Sequence, residues 1–156
     1  MVLDDYLIEH SEIDWPNVLS PWHWLLPEEF TVWLMNRFGD LFVVLDDSSV
    51  WMFDVGGGSF EQVASCRDEF YDSIENDETA NQWLMIPLID HLVAAGKHVS
   101  PKRCYGYIIP PVLGGEYTAK NTSLISIDEH YSFHASVYEQ IKDMPDGTAV
   151  KIKIVP

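Results

Sequence analysis

Cys104-Tyr105-Gly106-Tyr107-Ile108-Ile109-Pro110-Pro111-Val112-Leu113-Gly114-Gly115-Glu116-Tyr117 joins a strand to a shaped loop within fourteen residues. Tyr105 to Ile109 has the aromatic and β-branched content of a buried strand, and Pro110-Pro111 must end it, because neither proline can donate to a ladder. Gly114-Gly115 then supply positions where the backbone can take a positive φ or approach another element closely.

Before this stretch, Phe30–Met35 is ambiguous. Phe30, Trp33, Leu34 and Phe38 could share a helix face, but the residues after Met35 favour a strand. Asn36-Arg37-Phe38-Gly39-Asp40 and Asp46-Asp47-Ser48-Ser49 carry turn chemistry, and they separate the apolar runs Leu41–Leu45 and Val50–Val55. Three antiparallel strands are therefore expected, with a fourth at Phe60–Val63 after Gly56-Gly57-Gly58. Ser65, with Asp68 in the first turn, predicts a helix over 66–75. A second is predicted over 78–95, closed by Gly96 and interrupted at Pro87 by a kink or a break into two abutting helices. Ser123–Ile127 reads as a strand or an approach to the last helix, over 128–142, where Ser126 and Glu129 have capping-box spacing. Met144-Pro145-Asp146-Gly147 predicts a turn into a strand in which Val150, Ile152 and Ile154 alternate with Lys151 and Lys153. The expected architecture is α+β: an antiparallel-dominated mixed sheet of five to seven strands with about three helices largely on one face.

The 156 residues suffice for one domain, with 1–29 as a Trp- and Pro-rich wrapping segment and 30–155 as the core. Trp15-Pro16 and Pro21-Trp22-His23-Trp24-Leu25-Leu26-Pro27 argue against regular structure there. Their tryptophans suit either the edge of the core or an exposed binding face. Cys66 and Cys104 cannot build a disulfide framework, no signal peptide opens the chain, and apolar stretches such as Trp83–Ile89 fall short of the roughly 20 residues that span a bilayer. A soluble cytoplasmic protein is expected.

The net charge is −16, unevenly spread: residues 1–96 hold 19 acids and two bases, Arg37 and Arg67, whereas residues 97–156 hold six acids and seven bases. Such a field repels nucleic acid and anionic membranes and attracts basic partners; it also keeps an aromatic-rich chain in solution.

Catalytic and metal constellations are weak. Neither glycine cluster has the spacing or the Lys-Ser/Thr pair of a phosphate loop. His130 and His134 stand four apart, but Glu129 precedes them and the tyrosines on that helix point to a core face rather than a metal pair. Cys104 and Cys66 lack any nucleophile signature. No metal, cofactor or catalytic residue is expected, and the protein is read as a non-catalytic binder. The alternatives are a host regulatory scaffold, and a small-ligand binder or enzyme using Cys104, His130 or the glycine loop.

Several separated blocks occur in a recognisable order: Asn36-Arg37-Phe38-Gly39-Asp40-Leu41-Phe42, then Val50-x-x-x-Asp54 and Gly58, then Cys104-Tyr-Gly-Tyr with Pro110, Pro111, Gly114, Gly115 and Asn121. The last is Glu139-Gln140 through Pro145-Asp146-Gly147. Together, from about Phe30 to Val155, they resemble the bacterial family known chiefly as the C-terminal domain of type VI secretion immunity proteins, and more broadly the SUKH superfamily. The resemblance implies a cytoplasmic protein with an antiparallel sheet and flanking helices that binds and neutralises a DNase-type toxin. It supplies no catalytic residues, and its motif positions are best read as turns and junctions that specify fold. In those immunity proteins a further domain stands upstream, where this chain has its Trp- and Pro-rich segment. The expected partner is a basic protein, with neither nucleic acid nor membrane bound. The expected contacts are Trp22, Trp24, Glu28, Glu29, Asp46, Asp47, Asp68, Asp72 and Glu75, acids or aromatics placed beside turns and buried anchor area.

Overall fold

The computed structural model describes residues 1–145. Asp146, Gly147 and the expected strand at Val150–Ile154 lie outside the described residues. Four strands, β1 (Thr31–Met35), β2 (Leu41–Val44), β3 (Val50–Asp54) and β4 (Ser59–Ala64), form an antiparallel meander in sequence order. The ambiguity at Phe30–Met35 therefore resolves as a strand, with a bulge between Val32 and Leu34. Two further strands among the described residues, β5 (Arg103–Tyr107) and β6 (Thr122–Ser126), form a separate antiparallel hairpin. The expected single sheet is thus divided four and two: Tyr105 N–H donates to Arg37 O at 2.8 Å, which docks the hairpin on the β1–β2 turn without a continuous ladder.

The expectation of about three helices largely on one face is also corrected, since the described residues contain five α-helices and these cover both faces. Side chains alternate across a strand, and all four residues of β2 are buried because both faces of the sheet are covered. Leu41 and Val43 join a core with Trp22, Phe53, Ile127, Tyr131 and Tyr138, supplied by the N-terminal segment and α5 (Ile127–Ile141). Phe42 and Val44 join a second core with Phe70, Ile74, Ala80 and Leu84 from α2 (Arg67–Ile74) and α3 (Asp77–Leu84). A third cluster packs α4 (Ile86–Ala94) on Phe38 and Tyr105.

The N-terminal segment is more regular than its prolines suggest. It contains 3-10 turns at Leu3–Tyr6 and Ser20–Trp22 and one α-helical turn, α1 (Trp15–Val18), in which Pro16 occupies the first turn where no donor is required. Cys66, not Ser65, is the N-cap of α2, and Ser65 Oγ–H donates to Glu69 instead. Asn76 caps α3 through Thr79 N–H, and Ser126 caps α5 through Glu129 N–H.

Pro87 divides the long helix into α3 and α4. Met85 takes a left-handed conformation between them (φ 56°), and Pro87 falls in the first turn of α4. Because Pro87 has no N–H, the Trp83 carbonyl loses its helical donor, and Asn36 Nδ2 donates to it at 2.9 Å. Gly96 closes α4 with φ +84°; its N–H donates to Val93 O and Lys97 N–H to Leu92 O, the paired bonds of a Schellman motif.

Two glycines separate backbone strain from crowding. At Gly96 a Cβ would meet open space, so Gly96→Ala is expected to cost only the positive φ, about 1 kcal/mol. At Gly58 (φ +62°) a Cβ would fall 2.5 Å from the Tyr138 ring, so Gly58→Ala should cost about 3 kcal/mol. Urea midpoints of the two variants check this; equal losses would contradict it.

Candidate functional site

The meander brings distant acids to one end of the sheet. Thr31 opposes Val44, and Val50 opposes both Val44 and Ala64. Glu28 and Glu29 before β1, Asp46 and Asp47 in the β2–β3 turn, and the start of α2 therefore lie at the same end, all exposed or half-buried. Asp47 is held by Ser49, whose N–H and Oγ–H both donate to its carboxylate and pull its pKa below the usual range. From there α2 and α3 carry Asp68, Glu69, Asp72, Glu75, Asp77 and Glu78, all exposed, together with Tyr71 at 45% exposure. The nearby cation, Arg67, lies over the Trp33 ring at 5.4 Å from its centroid. Among the described residues the single ion pair is Lys142–Glu139 at 3.9 Å, so no acid of this ridge is paired.

The two expected tryptophans part company. Trp22 is fully buried, its Nε1–H donating to Tyr131 O at 3.3 Å and its ring edge-on to Phe53 at 4.9 Å. It offers no surface to a partner. Trp24 is 39% exposed, stacked on Trp22 at 5.9 Å, with the Lys142 ammonium 4.9 Å from its ring centroid.

The family-motif residues serve as internal fastenings. Asn36 Oδ1 accepts from Phe38 N–H and Asp40 N–H, each at 3.0 Å, while its Nδ2 reaches Asp40 and Trp83 O. Arg37 Nε–H donates to Leu7 O. Gly39 (φ +81°) lies against His130, and the Tyr131 hydroxyl donates to its carbonyl. The strand expected to run to Ile109 ends at Tyr107, and Ile108 and Ile109 are exposed because the chain has already left the hairpin before the prolines. Pro111 begins a 3-10 turn, Pro111–Leu113, that Gly114 (φ +96°) closes. Gly115 passes so close to Ile109 that a Cβ would overlap its carbonyl. Asn121 pins this loop, accepting from Ile109 N–H and donating to Ile109 O and Glu116 O, all at 2.8 Å. Gln140 Nε2–H donates to Ser136 O in α5, and Pro145 ends the described residues.

Between the four-stranded sheet, α5 and the Pro110–Tyr117 loop lies a cavity of about 340 Å³. Its floor is Asp40, His130 and His134, its walls include Phe38, Asp54, Tyr107 and Tyr138, and Gln82, Gly57, Val112 and Tyr117 reach its exposed edge. Three buried polar atoms have no hydrogen-bond partner among the described residues, Tyr107 Oη, His130 Nε2 and His134 Nδ1, and all three residues line this cavity. Such orphans are rare in folded proteins and call for an explanation. Burial, reinforced by His134, lowers the His130 pKa to about 3, and burial lowers that of His134 to about 4, so both imidazoles are neutral. Burial, reinforced by Asp54, pushes the Asp40 carboxyl well above its ordinary range against the bonds from Val55 N–H and Asn36. Burial likewise raises Asp54, which accepts from Gly57 N–H at 2.8 Å. A further depression of about 620 Å³ runs under the N-terminal segment among Trp15, Leu19, Leu26 and Phe30, with Glu28 at its edge.

Cys104 is buried, and burial pushes its thiol pKa up; Cys66 is half-buried at the N-cap of α2. Neither lines the cavity. Among the described residues no group of three or more His, Cys, Asp and Glu side chains is placed to hold a metal, and no helix is long and apolar enough to cross a membrane. The spacing of His130 to His134 marks both as candidates in the sequence. Asp54 and Tyr107 stand in the motif blocks but with nothing that ties them to a site, and Tyr138 reads as an ordinary helix residue.

Residues 64–137 match the family described as "T6SS immunity protein Tdi1, C-terminal". The chain is thus similar to type VI secretion immunity proteins, as its motif blocks indicate, over a narrower span than those blocks. The matched span contains the acidic α2–α3 ridge, β5, β6 and most of α5. No curated protein matches the chain.

Proposed function

We propose that this protein is an immunity-type binder that neutralises a basic, DNase-type toxin in the cytoplasm by occupying its cationic surface, without chemistry of its own. The observation that carries the reading is the ridge on α2 and α3, six exposed and unpaired acids within residues 67–78, inside the span matched by an immunity-protein family. A nuclease must present lysine and arginine to its substrate's phosphates, and an anionic ridge can occupy those same groups. Glu28, Glu29, Asp46 and Asp47 extend the field to the end of the sheet, and Tyr71, on the ridge itself, offers exposed ring area as an anchor.

The test starts with capture of basic proteins from the native bacterium at low salt, followed by rate measurements and a nuclease assay with the purified partner. Asp68→Asn, Asp72→Asn and Glu75→Gln together should slow association about tenfold at low ionic strength, with the difference shrinking at high salt. Dissociation should change less. Association that is fast and independent of salt in the unmodified protein would refute the electrostatic mechanism, and nuclease activity unaffected by a stoichiometric amount of this protein would refute neutralisation.

A further inference from the structure

The cavity above Asp40, His130 and His134 is separate from the acidic ridge, and the immunity reading leaves it unused. Its lining restricts what could fill it. Three residues that line it, Tyr107, His130 and His134, each carry a buried polar atom without a partner among the described residues, which favours a polar occupant over an apolar one. His130 is only 5% exposed and His134 3%. Asp40 and Asp54 face the same space, and no cationic side chain among the described residues forms an ion pair with either. An anion would meet the Asp40 and Asp54 carboxyl groups with no cationic side chain among the described residues paired to either, so the charge of the site disfavours it. The aromatic walls favour positive charge. Phe38 and Tyr107 are stacked at 5.2 Å, Tyr117 meets Tyr107 edge-on at 5.4 Å, and Tyr138 is fixed by donating to Gly56 O at 2.7 Å. A bare divalent metal lacks the three or more ligands it would need from these side chains.

We propose that this cavity is a binding site for a compact organic cation, an alkylammonium or guanidinium group, whose N–H bonds are received by Asp40, Asp54 and a histidine nitrogen and whose charge faces the rings of Tyr107 and Tyr138. Tyr107 Oη–H is left to donate to a hydroxyl or carbonyl elsewhere on the ligand, or to a water that accompanies it. The space, about 340 Å³, lies at the small end of ligand sites and suits a short aliphatic amine or the end of a lysine or arginine side chain. Val112, 41% exposed, and Tyr117, 66% exposed, give the mouth an apolar rim.

The experiment is calorimetric titration of the intact protein at pH 7 with n-butylammonium and agmatine, with n-butanol and butyrate as neutral and anionic controls of like size. The two cations should bind at least tenfold more tightly than either control. Asp54→Asn should weaken them at least tenfold, and Val112→Trp, which closes the mouth and leaves every charged group in place, should abolish binding in a protein that still unfolds cooperatively. Asp68→Asn with Asp72→Asn, on the ridge, should leave cation binding unchanged. A third probe, lysine capped at both backbone ends, separates the sources: affinity equal to butylammonium assigns the site to a side chain of a protein partner, and binding of free amines alone assigns it to a diffusible amine. Butanol or butyrate binding as well as the cations, or full affinity in Val112→Trp, would overturn the proposal.

Discussion

Trp22→Ala is expected to destabilise the protein by about 4 kcal/mol, the range for truncating a buried tryptophan. The ring is fully buried and touches two elements: β3, through Phe53 at 4.9 Å, and α5, through the Tyr138 ring at 6.1 Å and, by its Nε1–H, the Tyr131 carbonyl. Removing it opens a void in the core that joins the N-terminal segment to the sheet, and the neighbours are too large and too firmly hydrogen-bonded to collapse into it. Trp24→Ala, on a ring that is 39% exposed, should cost about 1 kcal/mol. Urea unfolding followed by tryptophan fluorescence measures both. If Trp22→Ala retained full stability and only hastened release of a partner, the ring would be an interface anchor and the core assignment would be wrong.

These two tryptophans show what a sequence can and cannot convey. They are two positions apart, in the same proline-rich context, and only the docking of α5 over the segment decides which one is covered. The meander, by contrast, was legible because its signals are local: the turns at Asn36–Asp40 and Asp46–Ser49 divide apolar runs of strand length. The presence of helices on both faces was not. A strand covered on both sides reads as an unbroken apolar run, and Leu41–Val44 does so, which gives no alternation from which to assign faces. The division into four and two strands depends on the single bond from Tyr105 N–H to Arg37 O, a pairing with no sequence signature.

The motif residues had the same limitation. Asn36 was visible as part of a turn, and Pro87 as a break in a helix. That one compensates the other, with the Asn36 amide donating to the carbonyl Pro87 leaves free, depends on a contact across 47 residues. The cavity is assembled similarly. The four-residue spacing of His130 and His134 put both on one face of α5, but Asp40, Asp54 and Tyr107 reach them from three other places in the chain.

The buried histidines should make stability strongly dependent on pH. Their folded pKa values, about 3 for His130 and about 4 for His134, lie below the ordinary value near 6.5, so between those limits the unfolded chain binds protons that the folded chain refuses. This contribution is fully present above about pH 6.5 and is lost as the pH falls toward 4 and then 3, at about 1.4 kcal/mol per pH unit for each histidine. Asp40 and Asp54 act in the opposite sense. Their folded pKa values are raised, chiefly by burial, so their contribution is present below the ordinary carboxylate value and is lost as the pH rises through the folded values. The two effects oppose each other in mildly acidic solution, and a single variant separates them. His134→Leu removes one histidine's proton uptake on unfolding and leaves the carboxyls in place; Nδ1 has no partner to strand. Relative to the unmodified protein it should gain about 2 kcal/mol between pH 7 and pH 5, read as the change in the difference between their urea unfolding free energies. A difference that is the same at both pH values would mean that His134 is protonated in the folded protein, and that the cavity floor carries a positive charge instead of an open acceptor.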